Sequence, residues 1–150
     1  MKQSVRLSKY VVPTEYDLEL HPDLENFTFE GVETIHISVL KPTRTITLHS
    51  KELEIETAEV IISGEKIFAK ISYNEKAETA TFTFPRLIPK STFKLTLVFK
   101  GILNDKMRGF YRSRYHINDK EHYMAVTQLE ATDARRAFPC FDEPAQKAVF

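Results

Sequence analysis

Apolar and polar residues alternate with a period of two along most of the chain. On an extended backbone, residues two apart project to the same side, so this alternation predicts strands with one buried face. No stretch before residue 127 has the apolar period of a helix. The alternating runs are rich in β-branched and aromatic residues, begin near Val11 and occupy positions 16–20, 35–39, 46–48, 53–55, 69–73, 80–84 and 93–99.

The breaks between these runs carry turn-forming residues. The segment 74–78 (Asn-Glu-Lys-Ala-Glu) links two runs and predicts a hairpin loop. Roughly seven to nine antiparallel strands predict an all-β fold, an antiparallel β-sandwich or a saddle-shaped double sheet. Residues 1–10 precede the pattern, and we expect them to form a loose leader. We expect the prolines to lie between strands, where a missing N–H has little effect: Pro22, Pro42, Pro85 and Pro89.

Two short helical turns are predicted near the end of the chain. The first covers residues 133–137, and either Thr132 or Asp133 is a residue type suited to cap it. The second covers residues 143–147, with Asp142 as its expected cap.

Composition is typical of one domain without a strongly charged partner. A chain of 150 residues is long enough to build a core without disulfides. Lys plus Arg and Asp plus Glu both total 21, so no net charge favours nucleic acid or an anionic membrane. The single Cys140 excludes an intramolecular disulfide and a cysteine-based zinc site, and we expect it to be buried. Neither an apolar signal segment nor a run of about 20 apolar residues occurs, which predicts a soluble, cytoplasmic protein.

The strongest candidate for binding chemistry is the pair Gln128 and Glu130. A strand-like run at 123–126 leads to them, and on an extended chain they would project to the same side. An amide oxygen beside a carboxylate suits a small cation with several N–H donors, such as a peptide's free α-amine. The alternative is two polar residues on the exposed face of an edge strand, and the pattern by itself leaves both interpretations open.

The end of the chain also resembles a known family. From residue 128 it follows the pattern Gln-x-Glu-x-Thr-x-Ala-Arg-x-x-Phe-Pro-Cys-Phe-Asp-Glu-Pro-x-x-Lys-Ala-x-Phe, and Gly-Phe-Tyr-Arg-Ser at 109–113 precedes it. These segments resemble the amino-terminal domain of the M1 (gluzincin) metalloaminopeptidases, of the puromycin-sensitive and aminopeptidase N-like type. Tyr-Asp-Leu-Glu-Leu at 16–20, Phe-Glu-Gly at 29–31 and Leu-His at 48–49 are similar to the family's opening strands.

The resemblance implies that residues 1–150 are the amino-terminal β domain of a zinc-dependent aminopeptidase. It implies that Gln128 and Glu130 hold the free amino terminus of a peptide substrate. A following catalytic domain would supply two histidines and a glutamate as zinc ligands, with another glutamate as general base. This chain would then bind no zinc, would be inactive alone, and would have peptides and that domain as partners. The apolar alternation that opens at 147–150 and stops likewise suggests a truncated piece of a longer protein.

The charged residues of the signature are expected to have a structural role. They lie in the loop that follows Gln128 and Glu130, and a network among them would hold that loop rigid. The expected members are Arg135, Arg136, Asp142 and Glu143.

Other chemistry has little support in the sequence. No His-Glu-x-x-His occurs and no two histidines stand four residues apart, so we expect no metal site in this chain. His116 and His122 could share a strand face, although 118–120 has the composition of a turn. The basic aromatic stretch 107–115 could stack on RNA, but the balanced charge argues against that function.

Two alternatives to the aminopeptidase remain open. Some relatives of this fold resemble epoxide hydrolases with residual peptidase activity, and those tend to carry Gln where Glu130 stands. Glu130 therefore favours the aminopeptidase. The other alternative is a non-catalytic scaffold domain of the same fold, which an intact downstream His-Glu-x-x-His motif would argue against.

Overall fold

The computed structural model describes residues 6–150, which form ten strands and one short 3₁₀ helix, Ala134–Arg136. Within this range, no helix combines the length and the apolar character needed to cross a membrane. The strands are β1 (Val11–Asp23), β2 (Thr28–Val39), β3 (Thr43–His49), β4 (Leu53–Ile62), β5 (Glu65–Phe68), β6 (Lys70–Asn74), β7 (Thr79–Ile88), β8 (Ser91–Ile102), β9 (Gly109–Ile117) and β10 (Lys120–Gln128).

The strands form three antiparallel sheets. One sheet has five strands in the order β1-β2-β8-β4-β5, one has three in the order β3-β7-β6, and the third is the β9-β10 hairpin. The five-stranded and three-stranded sheets share one apolar core, which confirms the predicted all-β, sandwich-like fold. Its fully buried side chains include Ile35, Ile37, Ile46, Leu48, Phe82, Phe84, Leu95 and Leu97.

Two glycine–phenylalanine pairs join the central strands β2 and β8. Phe29 lies opposite Gly101, and Gly31 lies opposite Phe99. A Cβ atom on Gly31 would lie 2.3 Å from Cζ of Phe99, and one on Gly101 would lie 2.3 Å from Cζ of Phe29. Each ring therefore occupies the space that only a glycine leaves, and a shift of register would place it against a side chain.

Several local predictions differ from the structure. The loop 74–78 does join β6 to β7, as predicted. Pro22 and Pro85, however, lie inside strands. Pro22 is tolerated because β1 is an edge strand, and Pro85 lies where β7 departs from regular pairing. The short β5 was not predicted because only Ile67 in its four residues is buried.

Residues near both ends of the described range 6–150 pack against the domain. The expected leader lies partly outside the described residues, at 1–5, but Leu7 is buried and its N–H donates to Glu143 Oε1 over 2.7 Å. At the other end, Val149 pairs in parallel with β1 through its backbone. Phe150 stacks on Tyr16 with ring centroids 4.9 Å apart.

One core position is occupied by a carboxyl group. Glu33 lies on the inward face of β2, is fully buried, and has no hydrogen-bond partner for either carboxyl oxygen among residues 6–150. Burial raises the pKa of Glu33 well above its usual value of 4.5. The folded state therefore holds this side chain as the neutral acid.

We expect the pH dependence of stability to identify Glu33. Its folded-state pKa is raised, so its contribution to stability is fully present below the unfolded-state pKa and is lost as the pH rises through the folded-state pKa. Above pH 4.5 the free energy of unfolding should fall by up to about 1.4 kcal/mol per pH unit. Glu33→Gln should remove that slope in urea unfolding between pH 5 and pH 8.

The matched control is Glu30→Gln, an exposed glutamate on the same strand. It should leave the slope as in the parent chain. A slope that survives in Glu33→Gln would contradict the assignment of a buried neutral acid.

Candidate functional site

The β9-β10 hairpin carries Gln128 to the edge of the sandwich. Its two-residue turn, Asn118 and Asp119, has positive φ values of 48° and 60°, as a tight hairpin turn requires. From this turn the strands pair in regular register until Gln128 lies opposite Gly109. The turn predicted at 118–120 is therefore present. Because the strands pair regularly from it, the turn sets which residue of β10 lies opposite Gly109.

Aromatic contacts fasten the hairpin to the body of the domain. The ring of Phe110 packs edge-on against Phe29 with centroids 5.0 Å apart. Tyr123 packs edge-on against Phe27 at 4.8 Å, and the Arg112 guanidinium lies 4.3 Å from the centroid of the same ring. Such contacts stabilise by about 0.5–1.5 kcal/mol each beyond the area they bury, and together they orient the hairpin.

Gln128 and Glu130 are not both presented by a strand. β10 ends at Gln128, and Glu130 begins a turn that the Asp133 N–H closes on the Leu129 carbonyl over 3.0 Å. The alternation expected on an extended backbone therefore stops two residues before Glu130. The Gln128 side-chain oxygen instead accepts a hydrogen bond from the Glu130 N–H over 3.3 Å.

Both side chains of this pair are exposed. No hydrogen bond or ion pair within residues 6–150 engages the Glu130 carboxylate. The site thus presents one exposed carboxylate two residues after an exposed amide group. This combination can accept several N–H donors of a cation, with the carboxylate making the stronger bonds.

Gly109 allows the following loop to pack directly against the hairpin. It has a φ of +68°, and a Cβ atom there would lie 2.5 Å from Cβ of Arg136. Any other residue would be strained by the positive φ and would also clash with the 3₁₀ helix. Since Gly109 is paired with Gln128, this close approach sets the distance between the candidate site and the helix.

Arg135 ties the loop to the sandwich. Its Nε donates to Asp142 Oδ2 over 2.8 Å, and a terminal nitrogen donates to Glu78 Oε2 over 3.2 Å. Glu78 also pairs with the Lys51 ammonium. Although partial burial acts in the opposite direction, these two cations lower the pKa of Glu78. One arginine thereby connects the signature loop to the turn before β7.

Arg136 forms two ion pairs that are separate from those of Arg135. It contacts Asp133 over 2.8 Å and Glu52 over 2.5 Å. Glu143, which was expected in one network with both arginines, accepts the N–H of Leu7 instead. The four predicted residues therefore divide into two ion-pair groups and one backbone contact.

The predicted helical turns are shorter than expected. Asp133 stands before the 3₁₀ helix, but its side chain makes no capping bond because it pairs with Arg136. Residues 143–147 form no helix, only a turn in which the Gln146 N–H donates to the Glu143 carbonyl over 2.9 Å. Asp142 does not cap this turn because its carboxylate is engaged by Arg135.

Cys140 has a structural environment. It is buried, and its backbone exchanges two hydrogen bonds with His49, of 2.8 and 3.0 Å. His49 Nδ1 also accepts the Asp142 N–H over 3.2 Å. Burial raises the pKa of the Cys140 thiol well above its usual value, which disfavours the nucleophilic thiolate.

Three residues that hold the loop were not identified from the sequence: Lys51, His49 and Glu78. They lie on other elements, up to 93 positions from their loop partner in the case of His49 and Asp142. No local pattern marks them, because only the packing of the two sheets brings them to the loop.

The described residues offer no metal site. No group of three or more His, Cys, Asp or Glu side chains within residues 6–150 is placed to hold an ion. His116 and His122, which were thought able to share a face, project from opposite faces of the hairpin. His116 approaches Glu121, and His122 stacks on Tyr115.

The ion pairs of Arg135 predict a large loss of stability when its side chain is truncated. Arg135→Ala leaves the mostly buried carboxylates of Glu78 and Asp142 without their shared cation, and should lower the free energy of unfolding by about 3–5 kcal/mol. The control Arg86→Ala breaks an exposed pair with Glu65 and should cost less than about 1 kcal/mol. Urea unfolding measures both, and equal losses would contradict the role given to Arg135.

Comparison with known proteins identifies the family of this domain. Residues 12–150 match the model of the Peptidase M1 N-terminal domain. The chain is 44% identical over 154 residues to Aminopeptidase M1 of Arabidopsis thaliana, covering 99% of this chain and 18% of that protein. It is 48% identical over 141 residues to Aminopeptidase 2 of Candida albicans (93% and 15%), and 39% identical over 148 residues to the puromycin-sensitive aminopeptidase of Caenorhabditis elegans (97% and 16%). The chain thus spans less than a fifth of these curated relatives, and it belongs to the Peptidase M1 N-terminal domain family.

Proposed function

We propose that this domain holds the free α-amino group of a peptide substrate in an aminopeptidase whose catalytic part lies elsewhere in the parent polypeptide. The observation that carries the proposal is the exposed Glu130 carboxylate, which has no partner within residues 6–150 and belongs to a residue whose backbone N–H donates to the Gln128 side-chain oxygen. Membership of the family supports it, as does the similarity to relatives that are aminopeptidases.

The chemistry of the pair suits an ammonium group. A peptide α-ammonium has three N–H donors, and a carboxylate accepts charge-assisted bonds of about 1.5–3 kcal/mol each. An internal peptide bond offers no such charge, so a site of this kind selects the end of a chain. Holding the amine also sets the register of the peptide, which leaves its first peptide bond at a fixed place.

The surrounding contacts support this role by keeping the pair in place. The Arg135 ion pairs hold the loop after Glu130, and the hairpin contacts at Phe110 and Phe27 hold the strand before it. Because these contacts already order the site, the protein loses less conformational entropy when a substrate binds.

Zinc, which the family implies, does not fit the described residues, because they contain no set of three ligands. We assign the metal to the part of the parent polypeptide outside this domain. What this chain would contribute is recognition and positioning of the substrate.

The two other hypotheses make different demands. An epoxide-hydrolase relative is disfavoured by Glu130, since the resemblance associates Gln with that activity. A scaffold domain needs no exposed carboxylate at this position, although the fold of the domain is compatible with a scaffold function. The sequence of the parent beyond residue 150 separates the scaffold from an enzyme, because only an enzyme needs an intact His-Glu-x-x-His motif.

For the 150-residue chain alone, we expect no stoichiometric zinc and no hydrolysis of aminoacyl-anilides. The chain should be stripped of metal, reloaded with zinc and measured by elemental analysis. One tightly bound zinc per chain would overturn the assignment of the metal to another domain.

In the parent enzyme, Glu130→Ala should lower kcat/KM for peptides with a free amino terminus. The loss of a charge-assisted acceptor should cost about 2–4 kcal/mol, roughly 30- to 1000-fold. Glu130→Gln tests the charge with the shape retained, and Gln128→Ala should cost less because an amide makes the weaker bond. Zinc content should not change in any of the three.

The matched control is the amino-acetylated form of the same peptide, which has no ammonium. It should be a poor substrate for the parent enzyme, and Glu130→Ala should slow it little further. Equal losses on the free and acetylated peptides would show that Glu130 supports the loop and does not bind the amine.

A further inference from the structure

Three segments of the chain meet at one end of the sandwich. Val11 pairs with Val39, and Val39 pairs in turn with Ser91, so the start of β1, the end of β2 and the start of β8 lie side by side. Short connections from β2 to β3 and from β7 to β8 join the two main sheets at this same end. We define the basic end as residues 6–10, 40–44 and 86–91.

The basic end concentrates positive charge. It contains six Lys or Arg residues and no Asp or Glu, and all six are exposed. Two carboxylates approach it, and both are engaged: Glu65 pairs with Arg86 over 2.9 Å, and Glu143 accepts the Leu7 N–H. Five cations have no ion-pair partner among residues 6–150, namely Arg6, Lys9, Lys41, Arg44 and Lys90.

This local excess is hidden in the total charge of the chain. The 21 basic and 21 acidic residues cancel, so the sum gives no reason to expect an anionic partner. Salt screens charges that lie more than about 10 Å apart, and a partner therefore responds to the charges near its contact and not to the total.

Large apolar side chains are exposed among these cations. Tyr10 and Leu40 are each 47% exposed, and Leu87 is 53% exposed. The Leu40 N–H donates to the Tyr10 carbonyl over 2.7 Å, and Lys41 Nζ lies 4.1 Å from the centroid of the Tyr10 ring. These contacts fasten the segment before β1 to the connection after β2, so cationic and apolar groups share one surface.

We propose that the basic end binds reversibly to the surface of a lipid bilayer that contains anionic phospholipids. The negative potential of such a surface attracts each nearby lysine or arginine. Exposed leucine and tyrosine side chains enter the boundary between head groups and acyl chains, while the stems of lysines reach the phosphates. A nucleic acid or a wholly acidic peptide would pair with the cations but would give Leu40 and Leu87 no apolar layer, so this combination favours a bilayer.

The basic end lies far from the candidate amine site. Phe29, against which the hairpin packs, stands near the start of β2, and Val39 ends that strand at the basic end. A strand rises about 3.3 Å per residue, so the two positions are roughly 33 Å apart. A bilayer at the basic end would leave Gln128 and Glu130 accessible. The inference is therefore independent of the proposed function.

Co-sedimentation with vesicles tests the proposal. The 150-residue chain should bind phosphatidylcholine vesicles that contain about 30 mol% phosphatidylserine or phosphatidylglycerol, and should bind pure phosphatidylcholine vesicles at least about tenfold more weakly. Raising NaCl from about 0.05 M to about 0.5 M should release the chain, because salt screens the attraction. Equal binding to neutral and anionic vesicles, or binding to neither, would overturn the proposal.

Matched substitutions separate the basic end from the total charge. Lys41→Gln should lower the partition coefficient about fivefold. The control Lys76→Gln makes the same change of charge on an exposed residue of the loop 74–78, at the other end of β7, and should leave binding unchanged. Leu40→Ser keeps the charge and should also weaken binding, since it removes an apolar contact. Equal losses in Lys41→Gln and Lys76→Gln would show that total charge alone acts, which would overturn the proposal.

Two further outcomes would contradict a bilayer as the partner. Binding to polyglutamate or to an oligonucleotide, without binding to vesicles, would assign the basic end to a soluble polyanion. The parent polypeptide should bind the same anionic vesicles, and its failure to do so while the 150-residue chain binds would show that the basic end is covered in the parent. In the parent enzyme, Lys41→Gln should leave kcat/KM unchanged, so this test and that of Glu130 fail or succeed separately.

Discussion

The interlock between β2 and β8 is the constraint on which the other elements depend. The rings of Phe29 and Phe99 fill the spaces above Gly101 and Gly31, so these strands have one register in which both rings fit. β1 and β4 pair with the outer edges of this pair and inherit its register. Since a slip by one residue would move every inward side chain to the other face, the interlock also selects the core.

The same interlock extends to the candidate site. Phe29, placed by Gly101, is the ring against which Phe110 of the hairpin packs. The hairpin in turn ends at Gln128. The apolar contact between Phe29 and Phe110 therefore helps to position this polar residue at the edge of the domain. The Arg135 ion pairs hold the loop from the other side. The candidate site is therefore held from both sides, by apolar contacts before it and by ion pairs after it.

Polar groups inside the domain follow two different physical rules. Glu33 has no partner among the described residues, and burial keeps it in the neutral acid form. Arg135 is also buried, but its guanidinium pairs with two carboxylates, and these ion pairs connect distant segments. At the surface of the hairpin, Arg114 and Glu121 form an exposed ion pair of the same kind.

The period-two pattern by itself determined the all-β class, the strands of the two main sheets except the short β5, and the loop 74–78, because each depends on local alternation and turn chemistry. The signature after residue 127 determined the family. Only the tertiary structure decided that Glu130 lies in a turn and not on the strand, since backbone hydrogen bonds of the loop end β10 at Gln128. It likewise decided the partners of Arg135. Glu78 is 57 positions away in sequence, and only the packing of one sheet on another brings such distant charges within contact.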